Sequence, residues 1–479
     1  MRRPNLLLVV ADDHAANAVG CYDGPHAVTP RIDTLARDGM RFTACGCTNS
    51  LCAPSRATIL TGTYNHVNGV TTLSTEFDAR QPAFPGLLRD AGYRTALIGK
   101  WHLGHGGVHD PQGFDHWEVL PDQGEYHDPT FLTPGPDGAV GSHVRPGYAT
   151  DLITDLAVEW LEATAAVDPG APWCLMVQHK APHRPWEPAA RHADLTFTTA
   201  GTEPETFRDD YAHRADAARE ARMRVGRDLT REDLKADPPP DVDAAAYAGW
   251  ALERYLTDYL RCVVAVDEGV GRLLDHLDAT GQADDTVVLY TSDQGFFLGE
   301  HGWYDKRFMY SESLQMPLLV RYPALVAPGS ECDALVLNVD VAQTVLDLAG
   351  VPALARMQGR SMRPLLAGED PAALGWREST YYRYWEHLDG SHHVAAHRGV
   401  RTRDRKLVHY YGSGCDQPGA SDERTAEQWE LFDLEADPRE LRSVHDDPAY
   451  AADLARLRAE LDDLARELGD TIPDPKEST

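Results

Sequence analysis

The chain has 479 residues, more than one ordinary core accommodates, which suggests a large domain with a smaller one beside it. With 42% hydrophobic residues, a mean hydropathy of −0.42 and no apolar run near the roughly 20 residues of a membrane span, it reads as soluble and globular. A formal net charge of −30 argues against nucleic acid or an anionic membrane as partner, and eight cysteines over this length do not make a disulfide framework.

Asn5-Leu6-Leu7-Leu8-Val9-Val10-Ala11 is a continuous apolar run, the pattern of a strand buried on both faces. It follows Arg2 and Arg3 but meets Asp12-Asp13 with no small-residue cleavage site. It therefore reads as a core strand and not a secretion signal, and the protein is expected to be cytoplasmic. Asp12 and Asp13 stand at a strand's carboxyl end, the edge of an α/β sheet where ligands bind. They are either solvated loop acids or part of a hard-cation site. Cys45 and Cys47 have C-x-C spacing, but no second pair follows, so a packed, reduced role is expected.

Cys52-Ala53-Pro54-Ser55-Arg56-Ala57-Thr58-Ile59-Leu60-Thr61-Gly62 reads as a cysteine at a helix entrance. Pro54 suits a first turn, where a missing N–H costs nothing, and Thr61-Gly62 can end the helix. Unpaired N–H groups and the helix dipole favour negative charge at Cys52, and Arg56 adds a fixed positive charge. Such a cysteine is a low-pKa nucleophile, a residue prepared for modification, or a buried structural thiol.

Three more buried-strand patterns end in polar residues. Arg94 to Gly99 runs into Lys100-Trp101-His102, and Trp173 to Gln178 into His179-Lys180-Ala181-Pro182-His183. Thr286 to Thr291 leads into Ser292-Asp293-Gln294-Gly295, then Glu300-His301-Gly302 and Asp305-Lys306-Arg307. Successive strand ends converge on one sheet edge, so Asp12, Asp13, Asp293 and Gln294 form an oxygen-rich set suited to Ca²⁺ or Mg²⁺ rather than zinc.

Helical patterns cover 149–165, 247–277 and 340–350, whereas 200–245 is polar, carries Pro238-Pro239-Pro240 and reads as an exposed insertion. Past residue 372 the texture changes. Aromatic, alternating segments at 380–385, 399–402, 406–411 and 429–434 predict a small antiparallel sheet. A helix over 450–468 follows, with Leu454, Leu457, Leu461 and Leu464 on one face, and then a proline-bearing tail. The predicted architecture is α/β: a large, mostly parallel or mixed central sheet flanked by helices over 1–372, and a smaller antiparallel sheet with a packed helix over 373–479.

The eleven residues from Cys52 to Gly62 resemble the signature of the type I sulfatases, in which the cysteine is oxidised to Cα-formylglycine. The resemblance extends to Glu430-Leu431-Phe432-Asp433-Leu434 and implies an alkaline-phosphatase-like fold. It further implies one Ca²⁺ on Asp12, Asp13, Asp293, Gln294 and an oxygen of residue 52. Gln294 departs from the commoner Asn or His but still offers an amide oxygen. Arg56, Lys100, His102, His183 and Lys306 match the remaining active-site positions of the family. In the implied chemistry, Ca²⁺, Arg56, Lys100 and Lys306 neutralise the sulfate. A hydroxyl of hydrated formylglycine, activated by Ca²⁺ and Asp293, attacks sulfur, with His183 or Lys306 as general acid. The second hydroxyl then loses a proton to His102 and expels sulfate, an escape denied to a serine.

The run from Ser292 to Arg307 resembles bacterial sulfatases of glycosaminoglycan or mucin sugars, which implies a carbohydrate sulfate ester as substrate. Tyr126, His392, His397 and Arg398 are candidate sugar contacts, and a formylglycine-generating enzyme is the implied partner in maturation. A phosphodiester or phosphonate monoester hydrolase of the same superfamily is the neighbouring alternative. A non-catalytic binder of sulfated glycans is the other, although Cys52, Lys100 and His102 are all retained. No motif specifies an oligomeric state.

Overall fold

A computed structural model describes residues 3–26, 28–135, 138–198 and 203–470. The proline-bearing tail beyond Asp470 lies outside the described residues. The apolar runs become adjacent parallel strands: β1 (Asn5–Ala11), β3 (Arg94–Lys100), β7 (Trp173–Gln178) and β8 (Thr286–Ser292). With β2 (Met40–Phe42), β4 (His116–Leu120), β5 (Thr130–Pro134), β6 (Val140–Val144), β9 (Leu318–Arg321) and β10 (Ser330–Cys332) they make a ten-stranded mixed sheet. Its order is β10-β2-β9-β8-β1-β7-β3-β4-β5-β6, and the five strands from β8 to β4 are parallel.

Continuous apolar strands need cover on both faces. Leu6, Leu8, Leu97, Met176 and Leu289 face one core, which includes residues of α1 (Cys52–Thr61) and α4 (Asp340–Leu348). Leu7, Val9, Ile98, Val177 and Val288 face the other, against α2 (Ala149–Val167) and the 36-residue α3 (Ala244–Ala279). Among the described residues no helix is long and apolar enough to cross a membrane.

Strands β11 (Thr380–Tyr384), β12 (His397–Arg401), β13 (Arg405–Tyr410) and β14 (Gln428–Asp433) pair antiparallel in sequence order. Tyr381, Val400, Leu407 and Leu431 on one face pack against Leu457 and Leu461 of α5 (Ala451–Leu468). Tyr382, Tyr384, Val408, Tyr410 and Phe432 on the other face join the α1 side of the main core.

The described part of 200–245 is not an exposed excursion. Tyr211, Ala218, Met223, Val225, Leu229 and Leu234 are buried, and Tyr211 stacks on Trp303 at 5.4 Å between ring centroids. The segment's charge conceals these anchors because they are scattered without a helical or strand period.

Candidate active site

Register brings the polar strand ends together. Ala11 lies opposite Ser292, and Val10 and Gly99 both lie opposite Gln178. Asp12-Asp13, Asp293-Gln294 and Lys100 therefore emerge at one edge of the sheet. Gly99 makes the close approach: at φ +104°, a Cβ there would stand 2.0 Å from the Gln178 carbonyl oxygen. Helix α1 ends at Gly62, which takes φ +62° as a left-handed cap, and its first turn delivers Cys52 and Arg56 to the same edge.

Ligand oxygens of Asp12, Asp13 and Asp293 lie within 4.8 Å of one another, all buried. Three cations meet them. Lys306 Nζ stands 2.5 and 2.7 Å from the two oxygens of Asp13. Lys100 Nζ bonds Asp12 and, at 2.5 Å, Gln123 Oε1. Arg56 reaches Asp293 through Nε at 3.0 Å and Nη2 at 2.9 Å, while its Nη1 donates to the Lys100 carbonyl and to Gln178. His183 Nε2 is 3.7 Å from Asp13, and its Nδ1 lies 2.7 Å from the Arg184 carbonyl oxygen. Asp13, His102, Asp305 and Arg307 all hold positive φ between +55° and +89°, strained backbone of the kind concentrated at functional sites.

Burial, and then the neighbouring carboxylates, push Asp293 up to about 7; burial and the Asp12 and Asp305 carboxylates push Asp13 up to about 6 against the opposing pull of Lys306. Burial would do the same to Asp12, but Lys100, His183, Arg56 and Lys306 outweigh it and hold Asp12 well below the usual range. Burial and the Lys100 charge push His102 and His183 well below the usual imidazole range. Cys52 behaves contrary to a nucleophilic thiolate: burial and the Asp12 charge raise its thiol despite the helix entrance and the nearby lysines. The low-pKa reading of Cys52 is corrected on that ground.

A hard cation fits this edge. Asp12 Oδ1 and Gln294 Oε1 are buried oxygens with no hydrogen-bond partner, beside two carboxylates whose proton affinity burial has raised. Three carboxylates and an amide oxygen are the donor chemistry of Ca²⁺ or Mg²⁺.

The candidate sugar contacts divide. His392 is buried and paired with two carboxylates, with Nε2 3.3 Å from Asp305 and Nδ1 3.0 Å from Asp389. Tyr126 is only 1% exposed; its hydroxyl donates to the His183 carbonyl at 2.5 Å, so it braces His183 and offers no surface to a sugar. His397 is fully buried among Phe308, Tyr382, Tyr384 and Tyr410, and so is not a contact either. Arg398, next along β12, points to the opposite face, toward Asp462 of α5. Period-two alternation sends these two neighbours to faces that both lie away from the site. Gln123, Gln178 and the buried group Asp305, Arg307 and Asp389 were not singled out as site residues by sequence reasoning. The signal for Gln178 was available, since a polar residue closes an otherwise apolar strand at the edge that carries the site.

The sulfatase family model matches residues 4–351, and that for the C-terminal part of N-sulphoglucosamine sulphohydrolase matches residues 299–467. The chain belongs to the sulfatase family. It is a sulfuric ester hydrolase, with 40% identity to an N-acetylglucosamine-6-O-sulfatase of Bacteroides thetaiotaomicron across 100% of this chain and 89% of the relative. It is 28% identical to the N-acetylglucosamine-6-sulfatase of Homo sapiens, over 80% of this chain and 67% of that protein. A solved structure in complex with its substrate D-glucosamine-2-N,6-O-disulfate superposes with a TM-score of 0.89 at 40% identity, covering 99% of this chain and 100% of that one. A phosphonate monoester hydrolase from Silicibacter pomeroyi, at 22% identity and a TM-score of 0.73 over 99% of this chain and 97% of that one, shares the fold.

Proposed function

We propose that this sulfatase removes the 6-O-sulfate of a glucosamine-type sugar. In this reading Cys52 is oxidised to formylglycine, and one Ca²⁺ is held by Asp12, Asp13, Asp293, Gln294 and residue 52. The observation that carries the reading is the meeting of three buried carboxylates, three buried cations and Cys52 at one sheet edge. The sugar class comes from the relatives named above, which carry the same activity in their names.

When present, the cation supplies charge neutralisation for sulfate oxygens and the hydrated aldehyde supplies a hydroxyl nucleophile. The chain's own residues do the rest. Arg56 is fixed by Asp293, Gln178 and the Lys100 carbonyl before substrate arrives, so its charge costs no reorganisation during reaction. Lys100 and Lys306 place two further charges where negative charge moves toward the leaving oxygen. Burial would lower Lys306, but the adjoining Asp13 carboxylate outweighs it and raises it above the usual ammonium range. In this reading His183 or Lys306 gives the leaving alcohol its proton. His102, half-buried with an unpartnered Nδ1, is the residue we assign to accept a proton from residue 52. Because Cys52 is 1% exposed, the formylglycine-generating enzyme acts before the chain closes over it.

The test is a panel run on protein whose residue 52 has been verified by mass. It contains N-acetylglucosamine 6-sulfate, glucosamine 2-N,6-O-disulfate, a galactose sulfate, an aryl sulfate and a phosphonate monoester. Sulfate release is expected to be fastest from the 6-O-sulfated glucosamines. Preference for the aryl sulfate would sink the sugar assignment, and preference for the phosphonate would move the enzyme to the neighbouring activity.

A further inference from the structure

We infer that the unmodified, Cys52-thiol form of this protein holds a thiophilic divalent cation, Zn²⁺, on Asp12, Cys52 and His183. A carboxylate oxygen, a thiol sulfur and an imidazole nitrogen of these residues lie within 4.8 Å of one another, all buried. A tetrahedron with zinc's usual bond lengths has edges of roughly 3.3–3.8 Å, so small side-chain rotations close the site.

Each donor is free to bind. Asp12 gives Oδ2 to Lys100 and leaves Oδ1 buried without a hydrogen-bond partner. His183 Nδ1 lies 2.7 Å from the Arg184 carbonyl oxygen, a partner that only accepts. In the neutral ring Nδ1 therefore carries the proton and Nε2 is left as the metal-binding nitrogen, the outer-shell arrangement that orients metal-bound histidines. Tyr126 bonds the His183 carbonyl from behind and holds that segment in place. Among the described residues, Cys52 Sγ accepts only from the Gln294 amide, at 3.9 Å.

Three protein ligands leave the fourth position to water, the open form of a zinc site. Binding exchanges one thiol proton, released to solvent, for the metal–sulfur bond. The set differs from the calcium set by sulfur and imidazole, donors that Ca²⁺ does not seek. Asp12 belongs to both, so the two cations exclude one another. If Cys52 is converted as proposed, the only sulfur disappears and Asp12 passes to an all-oxygen set, so that conversion switches the metal preference. That consequence rests on the formylglycine reading; the zinc site itself does not.

The experiment uses full-length protein with Cys52 left as a thiol, verified by mass, and Co²⁺ as a visible surrogate. One equivalent of Co²⁺ is expected to give a thiolate-to-cobalt charge-transfer band and the intense d–d absorption of a four-coordinate ion. One equivalent of Zn²⁺ should bleach both, and a hundredfold excess of Ca²⁺ should not. Cys52→Ser should lose the charge-transfer band, and His183→Ala should weaken Co²⁺ binding at least tenfold. X-ray absorption at zinc on the unsubstituted protein needs no variant: one sulfur at about 2.3 Å and one imidazole nitrogen at about 2.0 Å are expected. No band at one equivalent, a band surviving Cys52→Ser, unchanged affinity in His183→Ala, or a zinc shell without sulfur would overturn the inference. Failure here leaves the sulfate-release panel untouched, because that panel is run on converted protein.

Discussion

Lys306 Nζ lies 2.5 and 2.7 Å from the two carboxylate oxygens of Asp13, and both side chains are almost wholly shut off from solvent. Removing one partner of such a pair leaves an uncompensated buried charge, at a cost of about 3–5 kcal/mol. Lys306→Ala is therefore expected to lower the Tm of the chelator-treated protein, and added Ca²⁺ should restore part of the loss, because a second cation then meets Asp13. Melting curves with chelator and with Ca²⁺ check this. Recovery of nothing would remove Asp13 from the cation set.

Arg56 makes contacts in three directions, to Asp293, Gln178 and the Lys100 carbonyl, and all use the planar fork of a guanidinium. A lysine ammonium cannot reproduce them. Arg56→Lys is expected to lower kcat/KM by about 10²–10³, the usual range for losing one preorganised charge-stabilising donor. Gln178→Ala deletes one hydrogen bond to a charged group and is expected to cost about 1.5–3 kcal/mol of stability. Steady-state kinetics and denaturant unfolding separate the two effects.

Asp13 and Asp293 are raised to about 6 and about 7, chiefly by burial. In the unfolded chain each titrates near 4. Between about pH 4 and 7, then, the folded, metal-free protein keeps protons that the unfolded chain has released, and the contribution of these groups to stability falls as pH rises. Ca²⁺ competes with those same protons. The rise in Tm caused by Ca²⁺ is expected to grow from pH 5 to pH 8; an increment independent of pH would mean that Ca²⁺ does not bind on this pair.

Gly99→Ala places a Cβ 2.0 Å from the Gln178 carbonyl oxygen at a φ of +104°. Neither strand can yield without moving Lys100 or Gln178. Destabilisation of roughly 3 kcal/mol or more is expected, in the upper range for single substitutions. Unfolding by urea measures it, and a change under 1 kcal/mol would show that β3 and β7 are not tightly held at this edge.

Much of the site was legible because parallel strands buried on both faces read as unbroken apolar runs. The polar residues that close those runs at Asp12, Lys100, His183 and Asp293 stand at one edge of the sheet. Helix α1 was equally plain from Pro54 and Gly62. Gln123 was hidden because nothing in its surroundings marks a partner of Lys100, 23 positions away in the chain. His397 and Arg398 were misplaced because their assignment to the site depended on how the small sheet docks: one faces the shared core and the other faces α5. The buried anchors of the 203–243 segment were hidden for the same reason, since Tyr211 finds Trp303 only in the folded chain.

In the proposed reaction residue 52, converted from cysteine, performs the hydrolysis of a 6-O-sulfated glucosamine. The most direct measurement is sulfate release from N-acetylglucosamine 6-sulfate by preparations whose converted fraction at residue 52 is known by mass, with Cys52→Ala alongside. Release proportional to the converted fraction, and none from Cys52→Ala, is the expected result. Full activity in Cys52→Ala, or in protein that carries only the thiol, would contradict it.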